Sequence, residues 1–335
     1  MISKLRFYVR HSFNDLRVNR QRTIFALLCI AAGVAAIVSL QTLGVMIQDS
    51  LTGSVQESNG GDIQLRVATD RDVSTSILDA AREQGLIEKP EPSGLFSSRE
   101  TNEQAAFFYT AAGVETIRDW FDTNYPGTEI TYREVIPGGH GPMSTVSIND
   151  LRTNQEQMFV APIIVDAQVY PLYGERVSED DQPLSELLRE PSDIVISRTL
   201  ADTLDAQIGD TVRLSGSNLD FTLRGILPDD AEGGIENIGG ALFGYFMVDL
   251  STAPTFENPA AGIDSIFIKL PNQVQVEQVA KSLNTQYPFV STTTIADLEE
   301  QNTEISDTLN NLVTVMGLVS LLIGGIGIIN TMQVV

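Results

Sequence analysis

The chain has 335 residues, and 44 Asp and Glu against 21 Lys and Arg give it a formal net charge of -23. A protein this acidic repels phosphate backbones, which argues against nucleic-acid binding through a basic face. Residues 23–48 and 308–335 carry no formal charge at all, so a uniformly soluble single domain is not expected.

Residues 1–22 hold six cations (Lys4, Arg6, Arg10, Arg17, Arg20, Arg22) against the single acid Asp15. Leu5, Tyr8, Val9, Ser12, Phe13 and Leu16 recur at helical spacing, which reads as an amphipathic helix on the inner membrane surface or packed on a cytoplasmic partner. The next run, 23–48, exceeds the roughly 20 apolar residues, at about 1.5 Å each, that cross a hydrocarbon core. The cations beside it place residues 1–22 in the cytoplasm and the acidic middle of the chain outside. A cleaved signal peptide fits less well, because the apolar run is too long and lies behind a long charged leader. The lone Cys29 reads as a buried side chain, and an internal disulfide in the exterior domain is excluded.

Leu43, Ile47, Leu51 and Val55 keep an i+4 stripe past the membrane boundary, so residues 23–58 read as a first transmembrane helix with a stalk, broken at Asn59-Gly60-Gly61. Residues 59–294 then form an exterior α+β domain, large enough for two subdomains. Strands are expected near 62–67, 129–136, 158–169, 193–197, 211–215, 220–227, 243–249, 263–270 and 289–293, and helices at 75–84, 115–125, 198–206 and 273–286. Residues 97–112 suit either period. Residues 137–142 and 229–240 read as loops, on their Pro and Gly content.

Leu298, Asn302, Ile305, Leu309, Leu312 and Met316 alternate spacings of four and three, a coiled-coil-like seam that runs into the second apolar segment. Residues 295–335 therefore read as a second stalk and second transmembrane helix. Leu51, Val55, Leu298, Ile305 and Leu309 are the candidate coupling residues. Ala32, Ala36, Ser320 and Gly324 give small-residue spacings that let helix backbones pack closely in lipid. The chain stops on an apolar Gln333-Val334-Val335 without a cationic flank, and it reads as part of a longer membrane protein.

The chemistry search finds no G-x-x-x-x-G-K-[ST], G-x-S-x-G or H-E-x-x-H pattern. His11 and His140 fall on opposite sides of the expected membrane, which excludes a histidine zinc site within one chain. Glu179-Asp180-Asp181 and Asp229-Asp230-Ala231-Glu232 lack calcium-loop spacing and read as solvated surface. No catalytic, cofactor or metal residues are assigned.

Three sets of residues carry a family resemblance. Leu321-Leu322-Ile323-Gly324-Gly325-Ile326-Gly327-Ile328-Ile329-Asn330-Thr331-Met332 is similar to the first helix of the FtsX-like permease region, and 23–35 (TIFALLCIAAGVA) resembles the first span of MacB-type ABC permeases. Ile194-Val195-Ile196-Ser197, Ile208-Gly209-Asp210-Thr211-Val212 and Phe221-Thr222-Leu223-Arg224-Gly225-Ile226-Leu227 resemble that family's extracytoplasmic core domain. The resemblance is thin over 97–157, where an insertion is expected.

The resemblance implies the permease subunit of an ABC transporter in the cell membrane. Its implied partners are the lipid bilayer, an ABC-type ATPase as a separate chain or domain, and a second permease copy or pair. Closure of the ATPase would move the membrane helices, and the stalk would relay that motion outward. Members of the family extrude macrolides or peptides, extract lipoproteins or regulate cell-wall hydrolases. Two competing readings are a transmembrane sensor with an exterior ligand-binding domain and an anchored exterior enzyme.

Overall fold

Ile63, Leu65 and Val67 alternate with Gln64 and Arg66 along β1 (Ile63–Val67), yet four of the five are buried, because a strand lies on either side of this one. The computed structural model describes residues 59–69, 71–89, 107–136, 146–232, 238–256, 262–271 and 274–301, with isolated positions at 38 and between 303 and 319. Chain contacts divide the protein into two units, Ser54–Leu298 and a second made of Met1–Gly53 with Glu299–Val335.

The first unit begins with β1, α1 (Thr75–Glu83), β2 (Ile87–Glu88), β3 (Phe108–Tyr109), α2 (Ala111–Asn124) and β4 (Glu129–Val135). Helix α1 buries Leu78 and Ala81 on one face and stops before Gly85, as its periodicity predicts. Helix α2 starts four residues earlier than expected. Thr110 caps it by accepting from the Gly113 N–H (3.0 Å), and its hydroxyl donates to Gly85 O (2.6 Å). Gly113 permits this start, since a Cβ there would lie 2.1 Å from Leu86 O. The described end of the ambiguous 97–112 stretch is thus strand, then cap, then helix; the 137–142 loop lies outside the described residues.

The middle of the chain supplies β5 (Ser147–Asp150), β6 (Glu156–Met158), β7 (Ala161–Val165), α3 (Leu184–Leu187), β8 (Asp193–Ser197), α4 (Arg198–Leu204), β9 (Thr211–Leu214) and β10 (Asp220–Leu227). It continues with α5 (Ile238–Phe243) and β11 (Tyr245–Asp249). The single strand expected over 158–169 is two strands, because Phe159 adopts a left-handed φ of 66° and breaks the ladder. Residues 229–240, expected as loop, hold a 3-10 turn at Asp229–Glu232 and the start of α5. The chain returns through β12 (Gly262–Lys269), α6 (Val276–Gln286) and β13 (Val290–Thr294).

Among the described residues the strands form one sheet in the order β13-β1-β12-β4-β7-β11-β8-β10-β9-β5-β6, with β2 and β3 attached to β12. It is mostly antiparallel; β7–β11 and β8–β10 are parallel. The two halves meet where β4 pairs β7, and that pairing is confined to Arg133↔Val165 and Glu134↔Ile164. One core lies under α1, α2 and α6 and contains Ile63, Leu65, Ile117, Phe121, Ile266, Ile268 and Leu283. A second gathers Ile148, Ile194, Ile196, Leu200, Phe221 and Phe246, while Val195, Tyr245 and Met247 from the alternate positions of the same strands join Phe267 in a third on the other face. Each such side chain stabilises the fold by roughly 1.5–3 kcal/mol relative to exposure. The unit is mixed α+β, as its two hydrophobic periods indicate.

The transmembrane helices expected at 23–48 and 308–335 fall almost entirely outside the described residues. No helix of the described residues is long and apolar enough to cross a membrane. The described positions Val38, Val315 and Val319 are helical, and each is about half exposed (54%, 57% and 48%).

Candidate functional site where the chain enters and leaves the domain

Strand β1 opens the domain and β13 closes it, and they pair antiparallel with Ile63 opposite Thr294. The residues that lead in and those that lead out therefore share one corner of the sheet. Asn59, buried at 1% exposure, fastens that corner by donating from Nδ2 to Gly61 O (2.9 Å) and to Thr293 O on β13 (3.5 Å). Its Oδ1 is buried without a hydrogen-bond partner.

The glycine pair that follows has a packing cause. Gly60 takes a φ of 70°, and a Cβ on Gly61 would lie 2.7 Å from Ile268 O. This close approach lets the Asp62 N–H donate to Ile268 O at 2.7 Å. The Asp62 carboxylate then accepts from the Leu270 N–H (2.8 Å) and from the Tyr173 hydroxyl (2.9 and 3.0 Å to its two oxygens). Tyr173 belongs to the other half of the sheet, in the segment after β7, and Lys269 Nζ lies 5.5 Å from its ring.

On the way out, residues 295–301 are helical directly after β13. Thr294 and Asp297 cap each other. The Thr294 N–H donates to Asp297 Oδ2 (2.8 Å), and the Asp297 N–H donates to Thr294 Oγ1 (3.2 Å). Leu298 sits half-buried in the first turn. A shallow groove of about 370 Å³ lies beside this turn, between β13 and α6, lined by Glu277, Lys281, Asn284, Thr292 and Asp297 among others.

A buried ionic group lies where the two halves adjoin. Arg176 Nε donates to Glu232 Oε1 at 2.9 Å with both side chains under a tenth exposed, and the Tyr170 hydroxyl donates to the same carboxylate. Burial, reinforced by the Glu232 charge, pushes the Tyr170 hydroxyl pKa up. Arg133 grips Asp264 through Nε (3.0 Å) and a terminal nitrogen (2.7 Å). Burial works against the Arg133 charge, but the Asp264 carboxylate more than offsets it and raises the guanidinium pKa. Glu232 is thus not the solvated surface residue its sequence context indicated. Asp229 is also engaged, accepting from Thr199 N–H (2.8 Å) and the Thr199 hydroxyl (2.9 Å) at the start of α4. Glu179 pairs with Arg198.

Of the coupling and helix-packing residues chosen from sequence, Leu298 alone is described, in the turn after β13. Leu51, Val55, Ile305, Leu309, Ala32, Ala36, Ser320 and Gly324 lie outside the described residues. Asn59, Asp62, Tyr173, Thr294 and Asp297 were not picked as site residues. The Thr294-x-x-Asp297 spacing carried a capping signal, whereas nothing in the sequence joins Asp62 to Tyr173, 111 positions away. The corner holds hydrogen bonds and packing rather than a nucleophile with a base, and among the described residues no group of three metal-ligating side chains converges.

The chain is 22% identical over 343 aligned residues to the macrolide export ATP-binding/permease protein MacB of Bdellovibrio bacteriovorus, covering 98% of this chain and 46% of that protein. The chain thus spans about half the length of the curated relative it matches. The periplasmic region of MacB from Actinobacillus actinomycetemcomitans aligns with a TM-score of 0.38 and 12% identity, over 68% of this chain and 97% of that one. The model of the MacB-like periplasmic core domain matches residues 23–286, which is most of the sequence. The chain belongs to the MacB-like periplasmic core domain family.

Proposed function

We propose that the chain is part of the permease of an ABC transporter, in which ATP hydrolysis by a partner ATPase moves an extracytoplasmic domain to export or extract a substrate. The observation that carries this reading is the pairing of β1 with β13, Ile63 opposite Thr294, which brings both connections to the flanking segments to one corner. Helices in those flanking segments would act on the domain as a pair. Family membership and the similarity to a macrolide export ATP-binding/permease protein support the same reading. The uncharged runs 23–48 and 308–335 are the segments that would sit in the bilayer, and the exposed Val38, Val315 and Val319 are suited to face lipid or a neighbouring helix. Residues 1–22 would lie in the cytoplasm, and a second copy or paired permease would complete the transport unit.

The test is purification of the full-length protein from its own membranes, followed by assay of ATP hydrolysis in the preparation. The reading expects vanadate-sensitive hydrolysis from an ABC-type ATPase that is fused or co-purifying. A preparation without hydrolysis, or one carrying a histidine kinase in place of the ATPase, would contradict it and favour the sensor.

A further inference from the structure

We infer that residues 170–176 form a strap that carries displacement from the corner where the chain enters and leaves the domain to the Asp229–Glu232 turn and the α5 helix packed on it, through the Asp62–Tyr173 hydrogen bond. The inference rests on the transport reading above and specifies how the same corner is coupled to the rest of the domain.

The sheet itself is a weak route between the halves, since β4 and β7 pair only at Arg133↔Val165 and Glu134↔Ile164. The strap crosses that junction with stronger bonds. In its middle, Tyr173 donates to both oxygens of the buried Asp62, which also holds Leu270 N–H and thereby β12. Toward its ends, the Tyr170 hydroxyl and Arg176 Nε both bind Glu232 (2.9 Å each), and the Arg176 guanidinium lies 5.9 Å from the Tyr170 ring. The Tyr170 ring also packs 5.4 Å from Phe267 of β12. Ionised groups held by hydrogen bonds away from water give way reluctantly, because parting them leaves a charge desolvated and alone. The strap therefore moves as one piece with its anchors.

Its output is equally defined. Glu232 ends the 3-10 turn that Asp229 begins, and Asp229 grips Thr199 in the first turn of α4. Beyond this turn comes α5, whose Leu242 is 65% exposed and whose Phe243 ring packs 5.6 Å from Phe159, the residue held at positive φ. A shift of Asp62 thus reaches the Asp229–Glu232 turn and α4 through polar contacts, and α5 packs against that turn. Contiguity alone does not establish coupling, so the test reads coupling directly.

The experiment uses the full-length protein with its ATPase in membranes, freed of native cysteines, with Cys29→Ser within these 335 residues. Cysteines are placed singly as Leu242→Cys, to report the output, and Ala296→Cys, to report the corner. A maleimide probe gives the labelling rate of each with ATP plus vanadate and without nucleotide. The expected result is a nucleotide-dependent rate at both positions, lost at 242 but kept at 296 when Tyr173→Phe is added, with ATP hydrolysis retained. Glu232→Leu with Arg176→Met, which removes the strap's far anchor without leaving a buried charge alone, is expected to give the same loss if Tyr173→Phe does not accumulate. A response at 242 that survives in both variants overturns the strap. So does a wild-type response at 296 with none at 242, and that outcome leaves the transport reading standing. If neither position responds and no ATP hydrolysis accompanies the protein, the transport reading itself falls, and the strap with it.

Discussion

Thr294 and Asp297 each satisfy the other's free backbone N–H, and this reciprocal cap begins the helix that leads out of the domain on the last residue of its edge strand. No residue separates strand from cap, so a displacement of the helix is felt at once by β13 and, through Ile63↔Thr294, by β1. Capping of this kind is worth about 0.5–2 kcal/mol to the helix it starts.

Thr294→Ala is therefore expected to fray the first turn without unfolding the domain. Hydrogen exchange on the full-length protein reads this as faster exchange over 295–301, with β8 and β11 unchanged. Equal acceleration in β8 would mean that the cap supports the whole fold rather than the helix alone.

Gly61→Ala forces a methyl group to within 2.7 Å of Ile268 O, a backbone atom that cannot rotate away. Overpacking against backbone costs about 1–3 kcal/mol, and here it also weakens the Asp62 N–H bond to Ile268 O. Thermal unfolding of the variant should show a lower Tm than wild type. An unchanged Tm would show that β12 can yield at this point.

Glu232→Ala leaves Arg176 charged, buried and without its main counter-ion. Breaking such a pair from one side costs about 3–5 kcal/mol, while replacing both partners by apolar residues costs far less. Denaturant unfolding of Glu232→Ala, and of the double variant Glu232→Leu with Arg176→Met, should rank the single variant as the less stable. The reverse order would mean that the pair is hydrated in solution.

Acid sensitivity follows from two surface pairs. The Arg152 hydrogen bond holds Asp210 below the ordinary carboxylate value of 3.8, and the Arg213 hydrogen bond does the same for Asp220. A carboxylate with a depressed folded pKa adds stability that is fully present above its unfolded value and is lost as pH falls through the folded one. The Tm difference between wild type and Arg213→Gln should therefore persist at neutral pH and close once the medium falls well below pH 3.8. A difference that widens in acid would contradict the assignment.

Much of the fold was legible because two hydrophobic periods are written plainly into the chain. The run Asp193-Ile194-Val195-Ile196-Ser197 reads as strand, and β8 occupies those five residues, buried throughout. Thr75 to Gln84 reads as a helix, and α1 ends one residue sooner. Short elements escaped because they have too few residues to show a period: Ile87–Glu88 and Leu184–Leu187 are fixed by their neighbours. The start of α2 was missed because Ala111 to Gly113 shows no apolar stripe, and the decisive Thr110 cap depends on Leu86 and Gly85 from an earlier element.

The site was less legible than the fold. Leu298 reads as part of a seam that continues into the apolar segment, and it stands half-buried in the first turn after β13. The polar residues that fasten the corner carry no such signal, since Asn59-Gly60-Gly61 reads as a helix breaker and Asp62 is one of 44 acids. Glu232 reads as solvated surface because acidic runs usually are, and only tertiary packing brings Arg176 and Tyr170 to it.

The most direct test is protease added to sealed spheroplasts carrying the full-length protein with an epitope tag at its N-terminus. Cleavage inside 59–294, with the tag intact until the membrane is opened, is the predicted result. Protection of 59–294 until lysis, or loss of the tag from sealed cells, would put the domain on the wrong side of the bilayer and remove the basis for coupling it to an internal ATPase.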